Sequence, residues 1–514
     1  VFSEAFAPDE ETLRNRALLS LNPKVRANHV ALAKLIALNM DASYAIERLD
    51  KENLVLQYFD PSQRIWVRGG GGRHLVELVT EMLYQIFPEL PEEQKASFGN
   101  DCITRPVANL LKNYLPQDRS GTMPALDGNQ TRGLLRFACG TVLDLRNGAS
   151  RPCEPADRIS LCTGYAYSEW SAPEEQKAFL TELCTDLNAA WQEGADANDI
   201  PNAAERLKRL VEESTLYRIF YCLFEDHCMA LWLLRQSVRA AAGLAGYEEV
   251  LFLVDSRGSN GKGTWLAVMK AVLGAEAENG YYATLDFEKH FVGNGMAQKS
   301  INNPDFATLN GKRFTAVNET PENTGEGQLN TTLIKKLASW DEPFSAMAKY
   351  KDPTAFFPQC LLAFCTNSQP IFPARDGGFK SRVSYANMPL EWVKEPTSSD
   401  QRQINVAVKE RIAKTVQPEF LFWACQLAPG LLNPKARVIT PRPDKVQEDV
   451  AMQFAASALR GTTGEASISP EEHGKAFVAE CLDSWDGKER PSTRQEVQKA
   501  FLKWCATKGL RVNP

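Results

Sequence analysis

The sequence predicts an α/β fold in which a glycine-rich loop joins a buried strand to a helix. The clearest observation is at residues 250–274, where an apolar strand, a glycine-rich turn and a helix ending at Gly274 follow one another directly. Elsewhere, strand-like alternation and helix-like periodicity are interspersed along the chain. The chain has 514 residues, 44% hydrophobic and 24% charged, which is ordinary for a folded protein of about three or four domains.

Charge and composition exclude several classes of protein. The net charge is −6, with 58 basic and 64 acidic residues, which argues against nucleic-acid binding over the whole surface but allows a basic channel. No uncharged apolar run approaches the ~20 residues that span a bilayer, so no membrane association is expected. The first residues are acidic where a targeting peptide would be basic, and an intracellular location is expected. Since the chain begins with Val1, it is interpreted as a fragment or a processed chain.

The twelve cysteines are scattered and include no C-x-x-C pair, which favours a reducing compartment over a disulfide or zinc framework. Cys222, His227 and Cys228 form the one close cluster with a histidine. They lie in an apolar stretch, where cysteine behaves as a small buried hydrophobe. The cluster is therefore interpreted as core rather than as a metal site.

Residues 1–215 are predicted to form an N-terminal module that is α+β and largely helical. Residues 1 to about 50 read as helix, the alternating apolar residues that follow Asn53 as a short hairpin around the turn 60–62, and His74 onward as helix. Short strands are expected over 134–165 and amphipathic helices over 171–214. The run of glycines between Arg68 and Arg73 has no lysine and no preceding buried strand, so a flexible turn is favoured over a phosphate loop.

Residues 216–425 are predicted to form a P-loop domain. Glycines at 258, 261 and 263 permit backbone N–H groups to line a concave loop, and Lys262 can reach phosphate oxygens. The match to G-x-x-x-x-G-K-[ST] is incomplete, because Ser256 replaces the first glycine and Gly263 follows the lysine. Thr264 must then supply any hydroxyl that the site needs.

Three further motifs follow the loop segment GSNGKGT at 258–264. The second motif is an apolar strand and glutamate at 313–320, and the third is a strand ending in asparagine at 360–367. The fourth, at 375–382, is similar to D-x-G-x-x-R-R, with Ser381 in place of the first arginine. With these four motifs in order, the chain resembles the superfamily 3 helicases, specifically the primase–helicases of phages, plasmids and poxvirus-type viruses. The resemblance spans roughly residues 40–395 and is strongest from 249 to 390.

The resemblance implies an AAA+ type motor with ATP and Mg²⁺ as cofactors. Glu319 would orient and deprotonate the attacking water, and Asn367 would be a polar sensor beside the γ-phosphate. Arg382 would reach the ATP of a neighbouring subunit, with Arg375 and Lys380 as alternatives. Thr264 and Glu319 would be the metal ligands, although Asn318 stands where a second acid is usual. The residues implied for ATP binding are Gly258, Ser259, Asn260, Gly261, Lys262, Gly263 and Thr264.

The same resemblance implies DNA contacts in a helix and in a hairpin, for which a solvated basic face is the competing interpretation. The residues are Lys335 and Lys336 on the helix, and Lys349, Tyr350 and Lys351 in the hairpin. Single-stranded DNA is the implied ligand and a homo-hexameric ring the implied assembly. A priming domain often lies upstream in this family, but no acidic metal-binding triad stands in residues 1–215. A primase or polymerase therefore remains an expected partner.

Residues 426–514 are predicted to form a small C-terminal module, mostly helical or a winged helix, in which a helix begins at the capping box after Pro491. The sequence thus favours a DNA helicase that hydrolyses ATP during viral or plasmid-type replication. A non-hydrolysing ring scaffold is the alternative, supported by Ser256, Gly263 and Asn318. A nucleoside monophosphate kinase is a further alternative, because such kinases also carry Gly-Lys-Gly-Thr.

Overall fold

The computed structural model describes residues 29–40, 44–48, 54–68, 71–95, 98, 101–111, 113–114, 125–244, 248–255, 258–275, 279–291, 304–318, 329–339, 342–347, 354–367, 370, 372, 376–405, 408–432 and 442–460. Several residues discussed above lie outside these ranges, namely Ser256, Glu319, Lys349, Tyr350, Lys351, Arg375 and most of the C-terminal module, 461–514. Within the described ranges, no helix has the length and apolar character needed to cross a membrane.

The N-terminal part packs helices beside a small antiparallel sheet, whose first strand lies at 44–48, where the sequence predicted helix. The elements are α1 (His29–Asn39), β1 (Tyr44–Arg48), β2 (Leu54–Asp60), β3 (Ile65–Arg68), α2 (Gly71–Ile86), α3 (Glu92–Lys95) and α4 (Asp101–Leu111), with the strands in the order β1-β2-β3. Leu32, Leu83 and Val107 are fully buried among the helices. The hairpin predicted around 60–62 is confirmed, because β2 and β3 pair antiparallel. In its turn, the Asp60 carboxylate accepts hydrogen bonds from the N–H groups of Ser62 and Gln63.

The glycine run after Arg68 differs in part from the flexible turn that the sequence predicted. The strand β3 ends at Arg68, and α2 already begins at Gly71, before the predicted start at His74. Two glycines are therefore the first residues of the helix. A helix packed through one apolar face tolerates glycine in its first turn, because tertiary packing outweighs the low helix propensity of that residue.

A second region, from 125 to 244, joins a three-stranded antiparallel sheet to four helices. The elements are β4 (Leu134–Arg136), β5 (Thr141–Asp144), β6 (Ala149–Pro152), α5 (Glu174–Gln192), α6 (Ala203–Glu213), α7 (Thr215–Phe224) and α8 (His227–Ala241). Side-chain caps fix two of the helix starts: Ser214 accepts a hydrogen bond from the N–H of Tyr217, and Asp226 accepts one from that of Met229. The short strands and amphipathic helices predicted here are confirmed.

The rest of the described chain is built around a five-stranded sheet. Its strands and the smaller ones near it are β7 (Val250–Val254), β8 (Tyr282–Asp286), β9 (Phe314–Asn318), β10 (Phe344–Ala346), β11 (Thr354–Phe356), β12 (Leu361–Thr366), β13 (Val383–Asn387), β14 (Glu391–Val393) and β15 (Gln401–Gln403). The helices are α9 (Lys262–Leu273), α10 (Phe287–Phe291), α11 (Pro304–Ala307), α12 (Thr331–Leu337), α13 (Gly377–Arg382), α14 (Val408–Leu432) and α15 (Asp444–Arg460).

The five-stranded sheet has the order β13-β7-β12-β9-β8, and all its strand pairs are parallel. Every side chain of β7 and β12 is buried, as expected for strands covered on both faces. The helices α9 and α14 pack on each other, while α15 packs against the edge strand β13. The predicted α/β class is confirmed, as a mixed fold with a central parallel sheet.

One hydrophobic core includes residues from Leu135 to Phe454. It contains Leu180 and Leu210, from the helices before position 215, together with Phe252 and Leu362 of the sheet. The helix α14 continues through position 425 to Leu432 without a break. The parallel sheet therefore shares its core with the region that precedes it in the sequence.

Candidate functional site

The glycine-rich loop lies between β7 and α9, at the carboxyl edge of the parallel sheet. Gly258, Ser259 and Gly261 all have positive φ, at 78°, 49° and 90°. At Gly261 a Cβ atom would lie 2.4 Å from the Leu223 side chain, so a larger residue does not fit there. The helix α9 begins at Lys262, and its N-terminal N–H groups give the loop a positive end suited to an anion.

The loop is held by a buried side-chain amide that links it to the end of the strand. Asn260 is 2% exposed, and its Nδ2 donates to Asp255 Oδ2 at 2.8 Å. Its Oδ1 accepts from the backbone N–H of Lys262 at 3.3 Å. One residue thereby joins the carboxyl end of β7 to the first turn of α9. Sequence reasoning did not single out Asp255, although an acid directly after a buried strand was the available signal.

Lys262 points along the carboxyl edge to the neighbouring strand. Its Nζ donates to Asn367 Oδ1 at 2.9 Å, and Asn367 directly follows β12. The two strands pair in parallel, with Thr366 opposite Val254, so their carboxyl ends meet. Burial raises the pKa of the nearby Cys365 thiol to about 12, and the Lys262 charge opposes that rise. The structure thus brings the two predicted phosphate-contacting side chains into direct contact.

The remaining motif residues at this edge surround that pair. Thr264 is half-buried in the first turn of α9, where its backbone N–H donates to the Gly261 carbonyl at 2.9 Å. Gly263 is exposed beside it. The strand β9 pairs with β12 and ends at Asn318. Glu319, the next residue, lies outside the described residues.

Arg382 lies at the amino edge of the sheet, where the parallel strands begin, and the loop lies at the carboxyl edge. Arg382 ends α13 immediately before β13, and Val383 is paired with Val250 at the start of the loop strand. A five-residue strand spans about 16 Å, so Arg382 is remote from the loop of its own chain. Its Nη2 donates to Glu248 Oε1 at 2.6 Å, and its Nη1 donates to the Gly378 carbonyl at 2.8 Å.

A buried ionic network lies next to Arg382. Glu249 forms an ion pair with Arg239 of α8 and accepts a hydrogen bond from Ser384 of β13. Arg442 Nε lies 3.9 Å from the Glu249 carboxylate, and Arg442 Nη2 donates to the Ser381 carbonyl at 2.8 Å. Burial alone would raise the pKa of Glu249, but the positive charges of Arg239 and Arg442 lower it below its ordinary value.

The two lysines predicted to bind DNA on α12 have different surroundings. Lys335 Nζ forms an ion pair with Asp376 at 2.8 Å, and Asp376 also accepts hydrogen bonds from Thr331 and from the N–H of Phe379. Burial opposes ionisation of Asp376, but Lys335 and these hydrogen bonds lower its pKa. Lys336 is exposed. Lys335 therefore connects α12 to α13, whereas Lys336 faces the solvent.

No group of three or more His, Cys, Asp or Glu residues suited to a metal ion occurs in the described part of the chain. The Tyr217 hydroxyl and His227 Nδ1 lie 2.8 Å apart, and burial raises the pKa of Cys228 to about 12.

Comparisons with known proteins give distant similarities. Residues 254–382, which contain the loop, β12 and α13, match a family of unknown function, DUF5906. No curated protein matches the chain. The apo structure of the NrS-1 C-terminal region is 10% identical with a TM-score of 0.40, covering 88% of this chain and 86% of that one. JCV helicase with a bound acetamide compound is 9% identical with a TM-score of 0.19, covering 57% of this chain and 98% of that one.

Proposed function

We propose that this chain is an ATP-dependent DNA helicase of the superfamily 3 type, acting in viral or plasmid-type replication. The observation that carries the proposal is the contact between Lys262 and Asn367 at the carboxyl edge of a parallel sheet, beside a loop with three positive φ angles. Ligands of open α/β sheets bind at this edge. An ammonium group, loop N–H groups and a helix N-terminus converge there, which suits a triphosphate.

In the proposed reaction, residues 258–264 hold the phosphates, and Lys262 exchanges its Asn367 contact for a phosphate oxygen. Asn367 is then free to hydrogen-bond the attacking water, and Glu319 would accept the proton of that water. Mg²⁺ would neutralise phosphate charge, with Thr264 and Glu319 as its candidate ligands. The half-buried position of Thr264 in the first turn of α9 fits that role.

Arg382 is proposed to act on the ATP of a neighbouring subunit. Its position at the amino edge, about one strand length from the loop of its own chain, supports this assignment over a role within one subunit. ATP sites at subunit boundaries require an oligomer, and a homo-hexameric ring is proposed. In such a ring, Lys336 and the segment around Lys349, Tyr350 and Lys351 would face single-stranded DNA.

The first experiment is ATP hydrolysis by the purified chain, with and without single-stranded DNA, compared with Lys262→Ala. The proposal requires DNA-stimulated turnover that the variant loses. ATP binding and ring formation without turnover would instead favour a non-hydrolysing scaffold for DNA or replication partners, such as a primase or polymerase. Phosphate transfer to a nucleoside monophosphate would point to a kinase.

The catalytic assignment has a separate test. Glu319→Gln should bind ATP as the unmodified chain does but lose turnover, because an amide cannot accept the proton of the attacking water. Normal turnover in Glu319→Gln would remove Glu319 from the mechanism while leaving the loop assignment intact.

A further inference from the structure

We infer that Trp392 forms the nucleoside-binding side of the loop and contacts the base or ribose of a bound nucleoside triphosphate. This inference rests on the proposed function of the loop and extends it from the phosphates to the rest of the ligand. Trp392 lies outside all the sequence motifs considered above. It is brought to the loop by the segment that follows the sheet.

The first support is the backbone contact between the two segments. The N–H of Trp392 donates to the Ser259 carbonyl at 2.8 Å, so β14 runs directly beside the loop. The strand β14 is supported by β15, and Arg402 of β15 forms an ion pair with Glu225 at the end of α7. The same end of α7 carries Leu223, which packs against the loop at Gly261. Trp392 is thus held in position by several independent contacts.

The second support is the state of the indole ring. Trp392 Nε1 lies 3.9 Å from the position that a Cβ on Gly261 would occupy. This nitrogen is buried and has no hydrogen-bond acceptor among the described residues, although the side chain as a whole is partly exposed. Indole N–H groups only donate, and buried ones normally have an acceptor. The edge of the ring that carries Nε1 thus packs toward Gly261, and the exposed part of the ring is left for a base to stack on.

The third support is the character of the surroundings, which suits a nucleoside better than another phosphate. Leu223 is apolar, and the opposite charges of Glu225 and Arg402 compensate each other. The groups suited to phosphate, the Lys262 ammonium and the N-terminus of α9, lie instead where Lys262 meets Asn367. A partly exposed aromatic ring offers a stacking surface, which every nucleobase can use. The loop therefore has a charged side for phosphates and an aromatic side for the nucleoside.

The experiment compares two ligands that differ in the nucleoside alone, Mg–ATP and inorganic Mg–tripolyphosphate, by calorimetric titration of the full chain. Trp392→Ala should weaken ATP binding by between about 5-fold and 150-fold, the range for loss of one base–aromatic stack. Tripolyphosphate binding should stay within about 2-fold of the unmodified chain, because the Trp392–Ser259 contact is made by backbone atoms. Trp392→Phe keeps a stacking ring, so it should bind ATP more tightly than Trp392→Ala and more weakly than the unmodified chain.

The controls separate this inference from the proposed function. Trp170→Ala removes a half-buried tryptophan that packs on Phe422 rather than on the loop, and should leave both affinities unchanged. Lys262→Ala should weaken the binding of both ATP and tripolyphosphate, because it removes a phosphate contact. Unchanged ATP binding in Trp392→Ala, or equal weakening of both ligands, would overturn the nucleoside contact while Lys262→Ala still supports the loop. Failure of the unmodified chain to bind ATP would overturn both proposals.

Discussion

Asn260 determines the shape of the loop through two hydrogen bonds, one to the strand end and one to the helix start. Its neighbours Ser259 and Gly261 both have left-handed backbone conformations. Such conformations are unfavourable for residues other than glycine, so Ser259 has to be stabilised by its surroundings. We interpret the Asp255–Asn260 contact as one such source of stabilisation. It also fixes the first turn of α9 relative to the end of β7.

A substitution at this position should affect nucleotide binding more than folding. We expect Asn260→Ala to weaken ATP binding about 10-fold, because the Lys262 N–H loses its acceptor and Asp255 loses a buried donor. Asn260→Asp should weaken it further at pH 7, where two carboxylates would face each other, and recover partly as the pH falls. Titration with ATP at two pH values measures both effects. Equal affinities for all three chains would show that the amide has no role in shaping the loop.

Asn367 provides a second test at this scale. Replacement by alanine removes an amide beside Lys262 while leaving the loop and its N–H groups in place. We expect Asn367→Ala to lower turnover about 10²-fold, the typical effect of losing one positioned polar group at a reacting centre, with little change in ATP affinity. A large loss of ATP affinity without a change in turnover would assign Asn367 to ligand binding instead.

Single residues were predictable where the signal lies in a short segment. The motif GSNGKGT and a strand ending in asparagine singled out Lys262 and Asn367, which the structure places in contact. The sequence did not single out Asp255 or Trp392, which contact the loop, and the reasons differ. The contact of Asp255 with Asn260 forms only when the loop folds, so the sequence alone does not indicate it. Trp392 reaches the loop from a segment more than a hundred residues further along the chain.

At the scale of elements, α12 and α13 are joined by the Lys335–Asp376 ion pair. Asp376 also caps α13 by accepting a hydrogen bond from the Phe379 N–H. Helix caps of this kind depend on neighbouring residues and are visible in the sequence. The order of strands in the central sheet is set by packing between distant segments. Local sequence patterns identify single strands but do not give their order, so the sequence predicted only the α/β class.

The adjacent lysines of α12 form a matched pair for a DNA-binding test. We expect Lys336→Ala to weaken single-stranded DNA binding and to reduce its salt dependence, because an exposed lysine can contact a phosphate. Lys335→Ala should instead lower the melting temperature, since it leaves Asp376 without its ion-pair partner. Fluorescence anisotropy at several salt concentrations, with thermal melting of both variants, distinguishes the two. The reverse result would assign DNA contact to Lys335.

At the scale of the whole molecule, Glu249 links three parts of the chain that are far apart in sequence. Arg239 comes from α8, Ser384 from β13 and Arg442 from the segment before α15. Buried charges of this kind are stable only when their partners are all present. The network therefore ties the helices before the sheet, its edge strand and the chain after α14 to one another.

Removing the charge of Glu249 should destabilise the chain. We expect Glu249→Gln to lower the free energy of unfolding by about 3–5 kcal/mol at neutral pH, because the buried ion pair with Arg239 is lost. The lowered pKa of Glu249 means that its stabilising effect is complete above the ordinary pKa of 4.5 and is lost as the pH falls through the lowered value. The difference between the two chains should therefore shrink in acid.

The control for this prediction is the adjacent Glu248→Gln. Glu248 is partly exposed and pairs with Arg382, and exposed pairs contribute at most about 1 kcal/mol. Denaturant unfolding at neutral and acid pH compares the three chains. An equal effect of the two substitutions, or a difference that does not change with pH, would contradict the assignment of Glu249 as the buried centre of the network.

The packing of α15 on β13 limits how far the chain can be truncated from its C-terminus without exposing the sheet. The strand β13 is the edge of the sheet, Asp449 accepts a hydrogen bond from the Asn387 N–H, and Phe454 covers Phe372 and Phe379. A recombinant fragment that stops near residue 432 would expose an apolar face and an unprotected strand edge, both of which promote self-association. Such a fragment should aggregate during purification, whereas the full chain should stay dispersed in light scattering.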